Sequence, residues 1–274
     1  MHSTVAILGA GAMGEALAAG LLRAGWEPGG ISMAVRRPDR RRELIDKTGC
    51  VVSLDPAEAL SGKEVVVVAV KPRDVPHLIS QIQGSYQPAQ LILSLAAGVP
   101  TRLYEASFGE VPVVRAMPNT PALVDEGITG LAGGRFADQE ALARAERVLS
   151  AVGQVIQMEE SLLDAVTAVS GTGPAYAFLL AEALTEAAIR EGLPRQIAER
   201  LVHQTIKGSG ALLVETGLSP FELRAQVTSP GGTTAAAVHV LEERGFRALI
   251  EDAVRAAGDR SREMGARAEE NGEL

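Results

Sequence analysis

Three groups of residues have types and spacings that could do chemistry. The first is Gly9-Ala10-Gly11-Ala12-Met13-Gly14, a G-x-G-x-x-G turn between the apolar run Val5 to Leu8 and the periodic segment Ala16 to Leu22. In such a turn Gly9 permits the tight reversal, Gly11 lets the backbone approach a pyrophosphate, and Gly14 lets helix and strand pack closely. The N–H groups at the helix start, from Ala12 and Met13 onward, then face the phosphates. The second group is Arg36-Arg37, where the next strand, Ile31 to Val35, should end. A carboxylate there would hold a ribose 2′-hydroxyl, whereas paired guanidiniums suit a 2′-phosphate. This reads as NADPH, with NADH possible. The third group is Thr228-Ser229-Pro230-Gly231-Gly232-Thr233-Thr234, ahead of the segment Ala235 to Glu243. Its hydroxyls and bared backbone at a helix start could hold a carboxylate. The same residues also suit an N-cap, and composition does not separate the two.

The elements that must position these groups read as alternating strands and helices. Val65 to Val70 is a run of valines and one alanine, suited to a central parallel strand. Its end, Ala69-Val70-Lys71-Pro72, should face the ligand crevice. Leu91 to Leu95 is closed by Ala96-Ala97-Gly98, where small residues would let a flat ring lie against the backbone. Val113 to Ala116 precedes Met117-Pro118-Asn119-Thr120-Pro121, a stiff loop able to hold the Asn119 amide. Ile128 to Ala132 and Gln154 to Met158 complete the sheet, with Ala137 to Ala151 as the helix between them. From Glu159 onward the pattern is helical. The domains therefore read as residues 1–158 and 159–274. Ala175 to Glu191 is apolar almost all round, which calls for cover from other helices and hence a homodimer. Pro194 opens a further helix to about Val214, and the polar residues from about Ala266 read as a frayed end.

Composition narrows the partners. The chain has 274 residues, 46% of them hydrophobic and 3% aromatic, so its core is aliphatic. A net charge of −8 argues against a general binder of nucleic acid or anionic membrane. The cluster Arg40 to Arg42 reads as a solvated helix start. Cys50 is the single cysteine and reads as a small core residue. The N-terminus lacks a basic leader and Glu15 interrupts its apolar run, no segment is long and apolar enough to span a membrane, and a cytoplasmic location is expected.

The glycine turn, Ala69-Val70-Lys71-Pro72, Met117 to Pro121, Ser170-Gly171-Thr172-Gly173-Pro174-Ala175-Tyr176 and Thr228 to Thr234 together resemble the pyrroline-5-carboxylate reductase family, in order and over nearly the whole chain. The resemblance implies an α/β fold, an N-terminal Rossmann-type dinucleotide-binding domain followed by a C-terminal all-helical dimerisation domain. It implies NADPH-dependent reduction of 1-pyrroline-5-carboxylate to L-proline, with another cyclic imino acid as the alternative substrate, and dimers often assembled as a ring of five. Carried over by position, Thr234 hydrogen-bonds the ring nitrogen. Thr233 and its neighbours Ser229, Gly231 and Gly232 hold the carboxylate. Glu160 falls near the substrate, though an acidic helix start is its plainer reading, and Asn119 lies by the nicotinamide. Two positions depart from the family: Asp55-Pro56 stands where an asparagine often touches the cofactor, and Gln226 where an asparagine often precedes the Ser-Pro-Gly-Gly run.

This chemistry needs no metal and no strong acid, because a cyclic iminium is already electrophilic. Of the histidines His2, His77, His203 and His239, none falls in a candidate loop. A hydroxyacid dehydrogenase of the same plan would use a lysine on the first helix of its second domain, and Ala175 to Glu191 contains none. A non-catalytic NADP sensor would need no Ser229 to Thr234 cradle. If the strand-end arginines read a 2′-phosphate, Arg36→Asp with Arg37→Ala raises KM for NADPH by roughly 2–5 kcal/mol equivalent. Turnover with NADH stays nearly unchanged, and steady-state kinetics with both cofactors is the check.

Overall fold

The computed structural model describes residues 4–270. Among them, strands β1 (Val5–Leu8), β2 (Ile31–Ala34), β3 (Val51–Ser53), β4 (Val65–Val68), β5 (Leu91–Ser94), β6 (Val113–Met117), β7 (Gly127–Gly133) and β8 (Gly153–Gln157) form one sheet in the order β3-β2-β1-β4-β5-β6-β7-β8. Every neighbouring pair is parallel except β6 with β7. The intervening helices are α1 (Ala12–Arg23), α2 (Pro38–Thr48), α3 (Pro56–Leu60), α4 (Val75–Ile82), α5 (Thr101–Phe108) and α6 (Gln139–Leu149). The order reverses between β1 and β4, the doubly wound arrangement in which ligands bind beyond the strands' carboxyl ends.

Alternation along the strands builds two aliphatic cores. Val5, Ile7, Val65 and Val67 join one, and Ala6, Leu8, Val66 and Val68 the other. Continuous apolar strands are therefore required here, because both faces are covered. β2 and β4 end sooner than their apolar runs, at Ala34 and Val68, and the residues left over turn into the crevice. β3 has no counterpart in the sequence reading. It is a three-residue edge strand with Val51 exposed, too short to show a period. Cys50 is buried as expected, and burial pushes its thiol pKa up.

Beyond the sheet come α7 (Leu163–Val166), α8 (Gly173–Arg190), α9 (Arg195–Glu215), α10 (Pro220–Gln226), α11 (Thr233–Glu243) and α12 (Phe246–Glu270). Residues 266–270, expected to fray, continue α12, while 271–274 and His2 lie outside the described residues. The chain forms two compact units. One holds the described residues through Thr172 and those from Ala256 onward, and the other is Gly173–Arg255. Contacts thus divide the chain later than residue 158 and return the end of α12 to the sheet-bearing unit. The physical reason is local. Gly98 has φ +75°, and a Cβ on it would lie 3.0 Å from the Gly265 nitrogen. A Cβ on Gly265 would lie 2.6 Å from the Gly98 carbonyl oxygen, so two backbones touch where neither has a side chain.

A buried ionic cluster reinforces that contact. The Arg115 side chain, 8% exposed on β6, reaches Glu160 and Asp164 at 3.4 Å each. Asp164 also accepts from the Ser261 hydroxyl of α12 at 2.7 Å. Arg115→Met leaves both carboxylates without their guanidinium in a largely desolvated site. The expected loss is on the order of 3 kcal/mol, read as a lower urea midpoint with an unchanged m-value.

In the helical unit the apolar residues have little cover within one chain. Phe178 is 66% and Val214 73% exposed, and on α8 only Thr185 is buried among the described residues. The cover expected for α8 is therefore not supplied by its own unit.

Candidate functional site

The glycine turn is built as its spacing requires. Gly9 has φ +100°, and a Cβ there would meet Ala69 and Val70 of the neighbouring loop at under 3 Å. A Cβ on Gly14 would lie 2.7 Å from the Gly9 carbonyl oxygen, so α1 rests directly on the turn. Gly11 differs, because a Cβ there would meet nothing within 4 Å. Packing does not demand glycine at that position; the open space above it does. α1 has no side-chain cap at Gly11, which leaves its first N–H groups without a side-chain acceptor.

That open space belongs to a cleft of about 380 Å³ between the ends of β1, β2 and β4. Gly9 and Gly11, Arg36 and Arg37, and Ala69 to Lys71 all border it. Ala12, Met13, Gly14 and Pro72 adjoin this cleft in sequence without bordering it. Gly14 is buried beneath the turn, and Pro72 opens a 3₁₀ turn, Pro72–Asp74. Ala97 and Asn119 stand at the ends of β5 and β6, the next two strands along the same edge. The Asn119 side-chain Oδ1 accepts from the Ile128 amide at 2.9 Å, which fixes the orientation of its NH₂ group. Gly171, in the π-helical turn Thr167–Gly171, packs against Met117 so closely that a Cβ would lie 2.6 Å from the methionine methyl. Gly171 therefore braces the end of β6, from which the loop carrying Asn119 departs.

The three arginines that border the cleft differ in exposure. Arg36 is 85% exposed, 3.6 Å from Asp74, and Arg37 is 72% exposed, 3.7 Å from Asp39. Water screens ion pairs made by side chains as exposed as these. Arg40, read from sequence as solvated, is only 18% exposed and borders the cleft. It bonds Glu15, the residue after Gly14, and Glu43 at 2.5 Å. Lys47 bonds the other oxygen of Glu15. The Lys47 ammonium and Arg40 guanidinium hold the Glu15 carboxyl below the usual carboxylate range, against the opposing effect of burial. Arg41 donates to the Val52 carbonyl at 2.8 Å, tying α2 to β3. Sequence reasoning also missed Asp74, His77 and Gln81 as cleft residues. His77 and Gln81 are four apart on α4, a helix whose short apolar pattern went unread. Asp55 caps α3 by accepting from Ala57 at 2.9 Å, so where the family often has an asparagine this carboxylate is committed to the backbone.

In the helical unit, Ser229 to Gly232 forms a turn with the Gly232 amide donating to the Ser229 carbonyl at 3.0 Å. Gly231 has φ +70° and open space around it. α11 starts at Thr233 with Gly232, which has no side chain to offer, as its N-cap. Thr234 is half-buried in its first turn. Glu160, in the other unit, has both oxygens engaged: Thr101 donates its amide at 2.9 Å and its hydroxyl at 2.8 Å, and Arg115 lies at 3.4 Å. No group of His, Cys, Asp and Glu among the described residues is arranged to hold a metal, and none of their helices is long and apolar enough to cross a membrane.

A doubly wound sheet and a glycine turn opening onto a basic cleft are the marks of an NAD(P)-dependent oxidoreductase. Residues 4–98 match the family model described as NADP oxidoreductase coenzyme F420-dependent, and residues 160–264 match pyrroline-5-carboxylate reductase dimerisation. A pyrroline-5-carboxylate reductase of Corynebacterium melassecola is 41% identical over 96% of this chain and 99% of its own length. The solved structure of a pyrroline-5-carboxylate reductase from Coxiella burnetii is 38% identical, with a TM-score of 0.89, over 96% of this chain and 99% of that one. That of Plasmodium falciparum pyrroline carboxylate reductase, solved with NADP bound, is 29% identical with a TM-score of 0.86, over 96% of this chain and 98% of that one. The chain belongs to the pyrroline-5-carboxylate reductase family.

Two alanine substitutions separate packing from binding in the turn. Gly14→Ala drives a methyl into the Gly9 carbonyl and should lower the melting temperature, by an equivalent of about 1–3 kcal/mol. Gly11→Ala enters open space and should leave melting unchanged while weakening dinucleotide binding at least about tenfold. Thermal melts and cofactor fluorescence titration on the two variants test this.

Proposed function

We propose that this chain reduces 1-pyrroline-5-carboxylate to L-proline, with NADPH as cofactor and the start of α11 as the substrate cradle. The observation that carries the cradle is an N-terminus with no side-chain cap, preceded by Gly231 and bearing two threonines. First-turn N–H groups and the helix dipole favour a carboxylate there. In this reading Ser229, Gly231, Gly232 and Thr233 hold the substrate carboxylate, and the Thr234 hydroxyl bonds the ring nitrogen. NADPH, when bound, supplies the hydride. Lys71 and the loops carrying Ala97 and Asn119 orient the nicotinamide half, while Arg36 and Arg37 face the 2′-phosphate. Glu160 already serves Thr101 and Arg115, so its part is to order the start of α5. Protein groups then contribute positioning and a hydrogen bond to nitrogen, which suffices for an electrophilic iminium.

The dimerisation domain supports oligomerisation; the finer proposal is a homodimer able to build a ring of five dimers in the cytoplasm. The functional division falls at residue 158, after the last strand. Light scattering at micromolar concentration distinguishes dimer from decamer.

The direct test is NADPH oxidation with and without pyrroline-5-carboxylate, repeated with NADH and with a six-membered cyclic imino acid. Thr234→Val keeps the β-branched shape and removes the hydroxyl. Losing that bond costs about 1.5–3 kcal/mol, or roughly 10- to 150-fold in kcat/KM, with an unchanged pH profile and unchanged NADPH binding. Unaltered kcat/KM would show that the imine does not meet this residue. A reshaped pH profile would make Thr234 an acid–base group instead.

A further inference from the structure

The arginines bordering the cleft are not equivalent. Arg36 and Arg37 are largely exposed, and each must be immobilised before it can grip a phosphate. Arg40 is already held, by Glu15 on one side and Glu43 on the other. A guanidinium has five N–H donors in a fixed fork. Two of the Arg40 nitrogens donate to these carboxylates, one bond each, which leaves three N–H groups of a constrained fork for an incoming anion. Its anchor is placed to matter. Glu15 follows Gly14 directly, so the residue that orients Arg40 rides on the same first turn of α1 that faces the cleft through Gly11. Lys47 shares Glu15, so that carboxylate does not neutralise Arg40 alone, and Glu43 is exposed enough for water to screen it. The start of α2 adds to the basic character. Arg37 is its N-cap without a side-chain cap, and Arg40 lies three residues further along.

We propose that Arg40, oriented by Glu15, is the principal reader of the cofactor's 2′-phosphate, with Arg36 and Arg37 as a looser outer pair. Arg40 is thus a specificity-determining residue and Glu15 its positioning residue. This rests on the NADPH reading above. It makes a prediction of opposite sign to simple electrostatics. Glu15 is a negative charge beside an anion site, so neutralising it should tighten phosphate binding if charge alone acted. If Glu15 acts by holding Arg40 in place, neutralising it weakens binding.

The experiment measures dissociation constants of adenosine 2′,5′-bisphosphate, ADP, NADPH and NADH by calorimetry and fluorescence for the full chain and three variants: Arg40→Met, Glu15→Gln, and Arg36→Asp with Arg37→Ala. Arg40→Met should weaken the bisphosphate and NADPH roughly 10- to 150-fold and leave ADP and NADH within about twofold. Glu15→Gln should move the same pair in the same direction by a smaller factor, with ADP and NADH again unmoved. The inference is overturned if Arg40→Met leaves the NADPH-to-NADH ratio unchanged while the double variant collapses it. It is overturned also if Glu15→Gln tightens the bisphosphate, or if all four ligands weaken together, the mark of a purely structural clip. A wild-type chain that does not distinguish the bisphosphate from ADP removes the NADPH reading itself, and the inference with it. Should Arg40→Met fail to fold, Glu15→Gln, which retains the arginine, decides the sign alone.

Discussion

The structure of the first unit depends on one backbone contact, α1 resting on the strand-to-helix turn where Gly14 meets the Gly9 carbonyl. That contact sets how close α1 lies to β1, and through β1 it sets the crevice between β2 and β4. Side chains are excluded there for two separate reasons. Gly9 and Gly14 lack room for a methyl, whereas Gly11 has room that a ligand would need. The same three glycines therefore carry both the packing of the fold and its opening.

Much of this was legible in the sequence because the strands are short, apolar and punctuated. Val65 to Val68 could be little but a central parallel strand, and the proline and glycine loops marked the carboxyl edge. What escaped was decided by partners distant in the chain. Arg40 looks like any basic residue at a helix start. Its burial comes from Glu15, twenty-five residues earlier, and no local pattern reveals that pair. His77 and Gln81 were missed because α4 offers only two apolar turns, and β3 because three residues carry no period. In the second unit the Ser229 to Thr234 stretch left cap and anion site undecided. α11 takes Gly232, which has no side chain, as its N-cap, so the pattern of hydroxyls alone could not have placed the cap.

The second unit obeys a different logic. Its helices keep an apolar surface that a single chain leaves wet, including Phe178, Leu201 and Val214. At about 25 cal/mol per Å² of apolar area, such exposure disfavours a lone protomer. The dimerisation domain recognised over residues 160–264 gives that surface its purpose. Burying that surface against another protomer makes the apparent stability of this unit depend on concentration.

The touching glycines, Gly98 and Gly265, also bear on how the protein is made. They join residues 167 positions apart in sequence, and they belong to a unit whose chain is interrupted by the whole helical segment. Translation delivers the sheet first, then Gly173–Arg255, and only afterwards the end of α12. A nascent chain can thus assemble its strands early but must hold the loop after β5 without its brace until Gly265 leaves the ribosome. Long-range closure of this kind comes late and slowly. The order of synthesis therefore postpones completion of the sheet-bearing unit until after the helices meant for a partner are already exposed.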